Sequence, residues 1–153
     1  MSTPNDSNQV ITTMIYRYCE LFDTGQFDEW VQLFVRGRWN GGPPGPERLR
    51  RLLDKMVILY EGRPGTQHLT TNLLIEVDEE AGNATASSYV TVLQQTPTTP
   101  MRPIFGGRYK DQFERADGQW EWRDRTIIAD LTGDLSQHLR GPGPGMNSTP
   151  TAR

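Results

Sequence analysis

The chain contains two histidines, and their positions frame the chemistry it can support. His68 sits in Thr66–Asp78, TQHLTTNLLIEVD, whose apolar residues alternate. An imidazole titrates near neutrality and can take or give a proton. Alternation puts His68, Thr70, Asn72, Leu74 and Glu76 on one strand face and Leu69, Thr71, Leu73, Ile75 and Val77 on the other. The rival reading is a surface or hydrogen-bonded histidine without catalytic duty. His138 lies near the C-terminus, beyond the periodic segments, which leaves His68 as the imidazole base expected in the domain.

Asp23 stands where a helical pattern ends in Asp23-Thr24-Gly25, and a turn or cap role suits it. Placed beside His68, its carboxylate would fix the imidazole tautomer and stabilise the protonated ring. Spacing alone does not place it there. Tyr18 falls on an apolar helical stripe, so its phenol points inward as a core tyrosine or as a hydrogen-bond donor, whereas Tyr16 is off the stripe. Arg125 lies mid-strand in WEWRDRTII and shares a face with Arg123, Ile127, Ala129 and Leu131. If buried, it needs an anionic partner or a polar ligand; if solvent-facing, it needs neither. Trp39 and Tyr89, on strand segments, are further candidate substrate contacts.

Other chemistries find no pattern here. A single histidine among the periodic segments is too few for a metal site. GGPPGP (Gly41–Pro46) lacks the Lys-Ser/Thr ending of a phosphate loop, and its prolines remove amide donors. No Gly-x-Ser-x-Gly elbow occurs. Cys19 has no basic neighbour in sequence and reads as a core or near-core thiol. The WEW run at 120–122 reads as sheet packing rather than a base-stacking platform, given the acidic charge.

The elements that must position these residues come in two regimes. Residues 8–62 read helical. Ile11, Met14, Ile15, Tyr18 and Phe22 form one stripe, and Phe27, Trp30, Val31 and Phe34 mark a second, short helix. Arg36–Asn40 reads as a short strand. Pro46 opens a third helix carrying Leu49, Leu52, Leu53, Met56, Val57 and Tyr60, which stops at Gly62-Arg63-Pro64-Gly65. Residues 66–131 read as four strands: Thr66–Asp78, Ala84–Gln95, Arg102–Arg115 and Gln119–Leu131. Thr96–Pro100 is expected to loop out, because proline has no N–H for a central ladder. Asp117-Gly118 signals a tight hairpin. Helices followed by a strand meander give an α+β domain, with a curved sheet wrapped around the helices and room for a cavity between them.

A length of 153 residues bounds the chain to one domain, expected over 8–135, with flexible tails at 1–7 and 141–153. Apolar residues make up 35%, enough for a modest core. A net charge of −3 excludes the basic surface of a nucleic-acid or anionic-membrane binder. No apolar run is long enough to span a bilayer, and the N-terminal MSTPNDSNQ is no signal peptide, so a cytoplasmic location is expected. One cysteine allows no internal disulfide.

YCELFDTGQFDEWVQLF (Tyr18–Phe34), HLTTNLLIEVD (His68–Asp78) and GGRYKDQFERADGQWEWRDR (Gly106–Arg125), in this order and spacing, resemble the SnoaL-like branch of the nuclear transport factor 2-like superfamily. That branch includes scytalone dehydratase, the bile-acid dehydratase and hexachlorocyclohexane dehydrochlorinase. The resemblance implies a cone of three helices packed in a strongly curved, mixed but mainly antiparallel sheet around an apolar pocket. It implies a catalytic His68–Asp23 dyad with Tyr18 and Arg125 in supporting roles. Asn72 matches an asparagine often found four residues after the histidine. Lys110 stands where dehydratases of this type often carry a histidine, and Asn72 and Lys110 are both expected to contact substrate. The implied activity is a cofactor-independent, metal-free lyase or isomerase acting on a small, largely apolar cyclic or polyketide- or steroid-like substrate. The alternatives are a non-catalytic ligand-binding or assembly module of the same fold and a small subunit of a ring-hydroxylating oxygenase. Pairing through the outer sheet face implies a homo-oligomer, a dimer or trimer.

Overall fold

The computed structural model describes residues 4–141, with side chains from residue 6 onward. The tail expected after residue 141 lies outside the described residues. Helix α1 (Pro4–Asp23) begins earlier than the tail expected over 1–7 allowed, and Ser7 is already buried. Its stripe of Ile11, Ile15, Tyr18 and Phe22 is almost wholly buried, as a 3.6-residue period requires. Gly25 ends the approach to α2 (Phe27–Gln32) with φ +75°, and a Cβ there would meet the Gly62 carbonyl oxygen. Only glycine lets these two turns come so close.

A two-residue strand β1 (Arg38–Trp39) precedes α3 (Pro46–Met56), which opens on proline as expected. Four long strands follow: β2 (Thr66–Asp78), β3 (Asn83–Thr96), β4 (Thr99–Ala116) and β5 (Gln119–Thr132). The sheet order is β1-β5-β4-β3-β2, with β1 parallel to β5 and all other pairs antiparallel. This is the expected α+β arrangement of three helices against a five-stranded mixed sheet, and the sheet is open. The core between them is aromatic, with Trp122 stacked on Phe34 at 5.2 Å and beside Phe113 at 5.0 Å. Each such fully buried apolar side chain contributes about 1.5–3 kcal/mol.

Three departures from the sequence expectation shape the interior. First, β2 carries a bulge. Its register shifts between Thr71 and Leu74, and Asn72 adopts φ 52°. Asparagine tolerates this left-handed backbone. The extra residue reverses the alternation, so Thr66, His68 and Thr70 face inward before it and Leu73, Ile75 and Val77 face inward after it.

Second, the expected loop at Thr96–Pro100 narrows to a two-residue turn, and Pro100 and Pro103 lie within β4. β5 pairs with β4 only from Phe105 onward, so this end of β4 is an edge where a missing N–H costs no ladder bond.

Third, α3 stops at Met56, short of the expected Gly62, because Val57 turns extended and bridges to Leu139. The Ile58 N–H donates to the His138 carbonyl at 2.9 Å, and the Arg140 N–H donates to that of Met56 at 2.8 Å. The segment 135–140 therefore folds back onto the domain beyond the boundary expected at 135, burying His138 and Leu139.

Candidate active site

Asp23 closes α1 at the point where the helix meets the start of β2, and its carboxylate takes three hydrogen bonds from that strand. Thr66 Oγ1 donates to Oδ1 at 2.7 Å, and the His68 main-chain N–H donates to Oδ2 at 2.7 Å. His68 Nδ1 lies 2.6 Å from Oδ1. A carboxylate opposite Nδ1 assigns the proton to that nitrogen, which leaves the Nε2 lone pair free. The His68 side chain is 9% exposed and the Asp23 side chain 16%. The Phe22 ring meets the imidazole edge-on at 5.2 Å and fixes its plane.

His68 opens onto a narrow cavity also lined by Tyr18, Phe22, Trp39, Met56, Tyr109 and His138. Its walls are otherwise apolar, with Val92, Phe105, Ile127, Leu135 and Leu139. The space open to the centre of a water-sized sphere is about 60 Å³, several times what one water needs. The cavity therefore suits a small ligand.

Two phenols form the polar side of the wall. Trp39 Nε1–H donates to the Tyr18 hydroxyl at 3.1 Å, a bond that does not use the Tyr18 proton. Burial pushes the Tyr18 pKa up, against the opposing pull of the Arg125 charge and the Trp39 bond. Burial pushes Tyr109 well above its ordinary value too, and the neighbouring Tyr18 adds to the rise. Both phenols are thus neutral donors at physiological pH.

Arg125 lies behind these rings rather than in the cavity. Its guanidinium carbon stands 3.8 Å from the Tyr109 ring centre, 4.2 Å from that of Tyr18 and 4.8 Å from that of Trp122. Asp111, its cross-strand neighbour on β4, accepts Nε at 2.7 Å and Nη2 at 2.8 Å, and also accepts Trp122 Nε1–H at 3.1 Å. Burial works against the guanidinium charge, yet the Asp111 carboxylate holds the Arg125 pKa above its ordinary value. The pair is wholly buried, and its Arg125 cation lies against the faces of both phenol rings.

Of the residues proposed from sequence, the fold brings His68, Tyr18 and Trp39 to the cavity wall, with Asp23 bonded to His68. Arg125 is a buried neighbour that does not reach the lining. Three expected contacts lie elsewhere. Asn72 sits on the bulge and is exposed, because the bulge ends the shared face with His68. Tyr89 is 52% exposed on the outer sheet face. Lys110 points outward because Tyr109 and Asp111 on either side of it point in.

Sequence reasoning missed Thr66, Tyr109, Asp111 and His138. Thr66 and Tyr109 were legible in principle, since Thr66 shares His68's face before the bulge and Tyr109 alternates with the buried Phe113. His138 carried no periodic signal, because it sits in an irregular segment. Burial pushes its pKa down to about 4, with the nearby His68 adding to the fall and Asp23 opposing it. Cys19, read as a core thiol, meets Thr70 Oγ1 at 3.4 Å, and burial raises its pKa.

The profile of the SnoaL-like domain matches residues 6–126. The chain belongs to the SnoaL-like family. No curated protein matches it. Among solved structures, a protein of unknown function from Mycobacterium tuberculosis is similar at 27% identity, with a TM-score of 0.68 over 81% of this chain and 76% of that one. A candidate scytalone dehydratase from Novosphingobium aromaticivorans is similar at 22% identity, with a TM-score of 0.69 over 94% and 95% of the two chains. The beta subunit of a candidate aromatic-ring-hydroxylating dioxygenase from the same organism is similar at 19% identity, with a TM-score of 0.65 over 86% and 95%. These last two likenesses show the shared fold. Among the described residues, no helix of this SnoaL-like protein is long and apolar enough to cross a membrane.

Proposed function

We propose that this SnoaL-like protein is a cofactor-independent lyase or isomerase, with His68 as the base that removes a carbon-bound proton. The observation that carries this reading is the 2.6 Å contact of His68 Nδ1 with Asp23, with the ring facing an apolar cavity that also holds a phenol donor. His68 Nε2 takes a proton from carbon next to a carbonyl, and the Asp23 carboxylate stabilises the imidazolium that forms. Tyr18, a neutral donor, gives a hydrogen bond to the carbonyl oxygen as negative charge builds there. The charge of Arg125 beneath its ring supports that donation.

Two outcomes share this first step. If the next carbon carries a hydroxyl, the electron pair of the broken C–H bond forms a C=C bond and the C–O bond breaks. The hydroxide then takes the proton back from His68 and leaves as water. If there is no leaving group, the proton returns at another carbon and the double bond shifts. A positioned base of this kind contributes about 10²–10⁴-fold. The substrate is small, largely apolar and carries a carbonyl.

The test is proton exchange in D₂O on a panel of small cyclic and aromatic ketones, followed by NMR. The expected result is deuterium uptake next to the carbonyl with the native protein, and its loss in His68→Ala with the circular dichroism spectrum unchanged. Equal exchange in the variant would overturn the reading.

The second reading is a subunit of a larger assembly. It draws on the fold shared with the dioxygenase beta subunit and on the exposure of Leu74, Tyr89 and Leu131 on the sheet. Pairing of this chain with itself through that face belongs to either reading. Light scattering tests it, a dimer or trimer being expected and a monomer counting against it.

A further inference from the structure

His138 is the second imidazole of the chain, and the fold brings it to the same cavity as His68. Its residue is 7% exposed, and its buried Nδ1 has no hydrogen-bond partner. The main chain around it is firmly held, since its carbonyl accepts from Ile58 and its N–H donates to the Leu135 carbonyl. The Phe22 ring stands edge-on to both imidazoles, at 5.2 Å from His68 and 6.0 Å from His138. The two histidines thus flank one phenylalanine at the same side of the cavity, with the phenols of Tyr18 and Tyr109 also in the wall.

A buried nitrogen without a partner is costly, and the cost is relieved when a ligand in the adjoining cavity supplies the missing group. The His138 ring is neutral across the physiological range, so it offers one donor and one acceptor and no charge. Asp23 accepts from Thr66 and His68, and the His138 Nδ1 makes no bond to it. The Phe22 ring beside it and the Met56, Leu135 and Leu139 side chains of the same cavity lining have no hydrogen-bond partner to offer an imidazole nitrogen.

We propose that His138 is a substrate-binding residue that hydrogen-bonds an uncharged hydroxyl on a small, otherwise apolar ring, and so orients that ring against His68. A hydroxyl fits either tautomer of the imidazole, because it can donate or accept. The inference rests on the cavity being the substrate site, and it deepens the proposed chemistry by naming a second polar group on the substrate besides the carbonyl. His138 acts by holding the hydroxyl. Proton transfer stays with His68.

The test uses phenol and toluene, which differ by a hydroxyl in place of a methyl, titrated by NMR into full-length protein labelled at histidine. With two histidines in the chain, His68→Ala leaves the His138 signals alone in the spectrum and assigns them. Phenol is expected to bind roughly tenfold more tightly than toluene, as one net hydrogen bond implies. It is expected to shift the His138 ring nitrogens where toluene does not. In His138→Phe the two probes should bind equally, and His138→Gln, which keeps a donor and an acceptor, should restore part of the preference. An undiminished preference for phenol in His138→Phe overturns the proposal, as does binding of neither probe to the native protein. If His138→Phe fails to fold, the nitrogen shifts in the native protein decide, and unmoved His138 signals at saturating phenol overturn it. The His68→Ala protein should keep the preference for phenol while losing deuterium exchange, so failure of the base and failure of the anchor give different results.

Discussion

One carboxylate, that of Asp23, holds both the ring and the main chain of His68: Oδ1 lies 2.6 Å from Nδ1 and Oδ2 lies 2.7 Å from the main-chain nitrogen. The contact joins the end of α1 to the start of β2. It therefore orients the imidazole relative to the cavity and locks the strand that carries it.

That double role separates two substitutions. In Asp23→Asn the amide oxygen can still accept the main-chain N–H, but the amide NH₂ facing Nδ1 favours the tautomer with its proton on Nε2. The base is then lost while the fold is kept. Exchange activity should fall by about 10²–10⁴-fold with a small change in Tm. Asp23→Ala should cost activity and stability together, about 1–3 kcal/mol for each buried donor left unpaired. Deuterium exchange and thermal unfolding check both, and native exchange rates in Asp23→Asn would remove the orienting role.

The bond from Trp39 to Tyr18 predicts a coupled pair. Tyr18→Phe removes the acceptor and leaves the buried Trp39 Nε1–H without its partner. It should destabilise the protein by about 1–3 kcal/mol and lower exchange by about 10²–10³-fold, the usual effect of losing one such donor. Adding Trp39→Phe removes the orphaned donor, so the double variant should lose less stability than the two single losses summed. Denaturant unfolding of the four proteins measures the coupling. Additive losses would show that the bond contributes nothing.

Much of this was legible in residue types and periods. Ile11, Ile15, Tyr18 and Phe22 mark the buried face of α1 by spacing alone, and Asp117-Gly118 marks its hairpin because few other pairs take positive φ at both positions. The helix-then-strand order gives the α+β class. What alternation could not give was the face of Asn72, since a single left-handed residue inverts the count for the rest of the strand. Nor could it give Asp111 as the partner of Arg125, because pairing across β4 and β5 depends on a register set by the hairpin and a bulge. His138 was hidden for another reason. Its segment has no period, and it is buried only because Val57 leaves the helix and pairs with Leu139.

Burial of His138 also predicts how stability depends on pH. Its pKa is pushed down from 6.5 to about 4 in the folded chain, so between those values the unfolded chain binds the proton more readily. The contribution is fully present above 6.5 and is lost as the pH falls through about 4. The loss is about 3 kcal/mol across the window, from 1.36 kcal/mol per pKa unit. Asp23 and His68 face the same ring, with Asp23 softening the effect and His68 sharpening it. In His138→Phe the stability curve between pH 7 and pH 4 should be flatter. Denaturant unfolding at fixed pH steps tests this, and curves of equal slope would remove His138 as the source.

The buried pair of Arg125 and Asp111 predicts a sharp asymmetry between single and double variants. Arg125→Met leaves a buried carboxylate with only the Trp122 N–H, and Asp111→Leu leaves a buried guanidinium with ring faces but no counter-charge. Each should cost about 3–5 kcal/mol, because an uncompensated charge stays in a dry site. The double variant removes both charges and should recover much of that loss. It should not recover function. The Arg125 charge holds the Tyr18 pKa down against burial, so without it the phenol becomes a weaker acid and a weaker donor to a developing oxyanion. Carbon-13 NMR of labelled tyrosines should show the Tyr18 titration moving upward in the double variant, with exchange activity falling although stability returns. If activity returned with stability, the pair would be a structural bridge and the phenol's acidity would owe nothing to it.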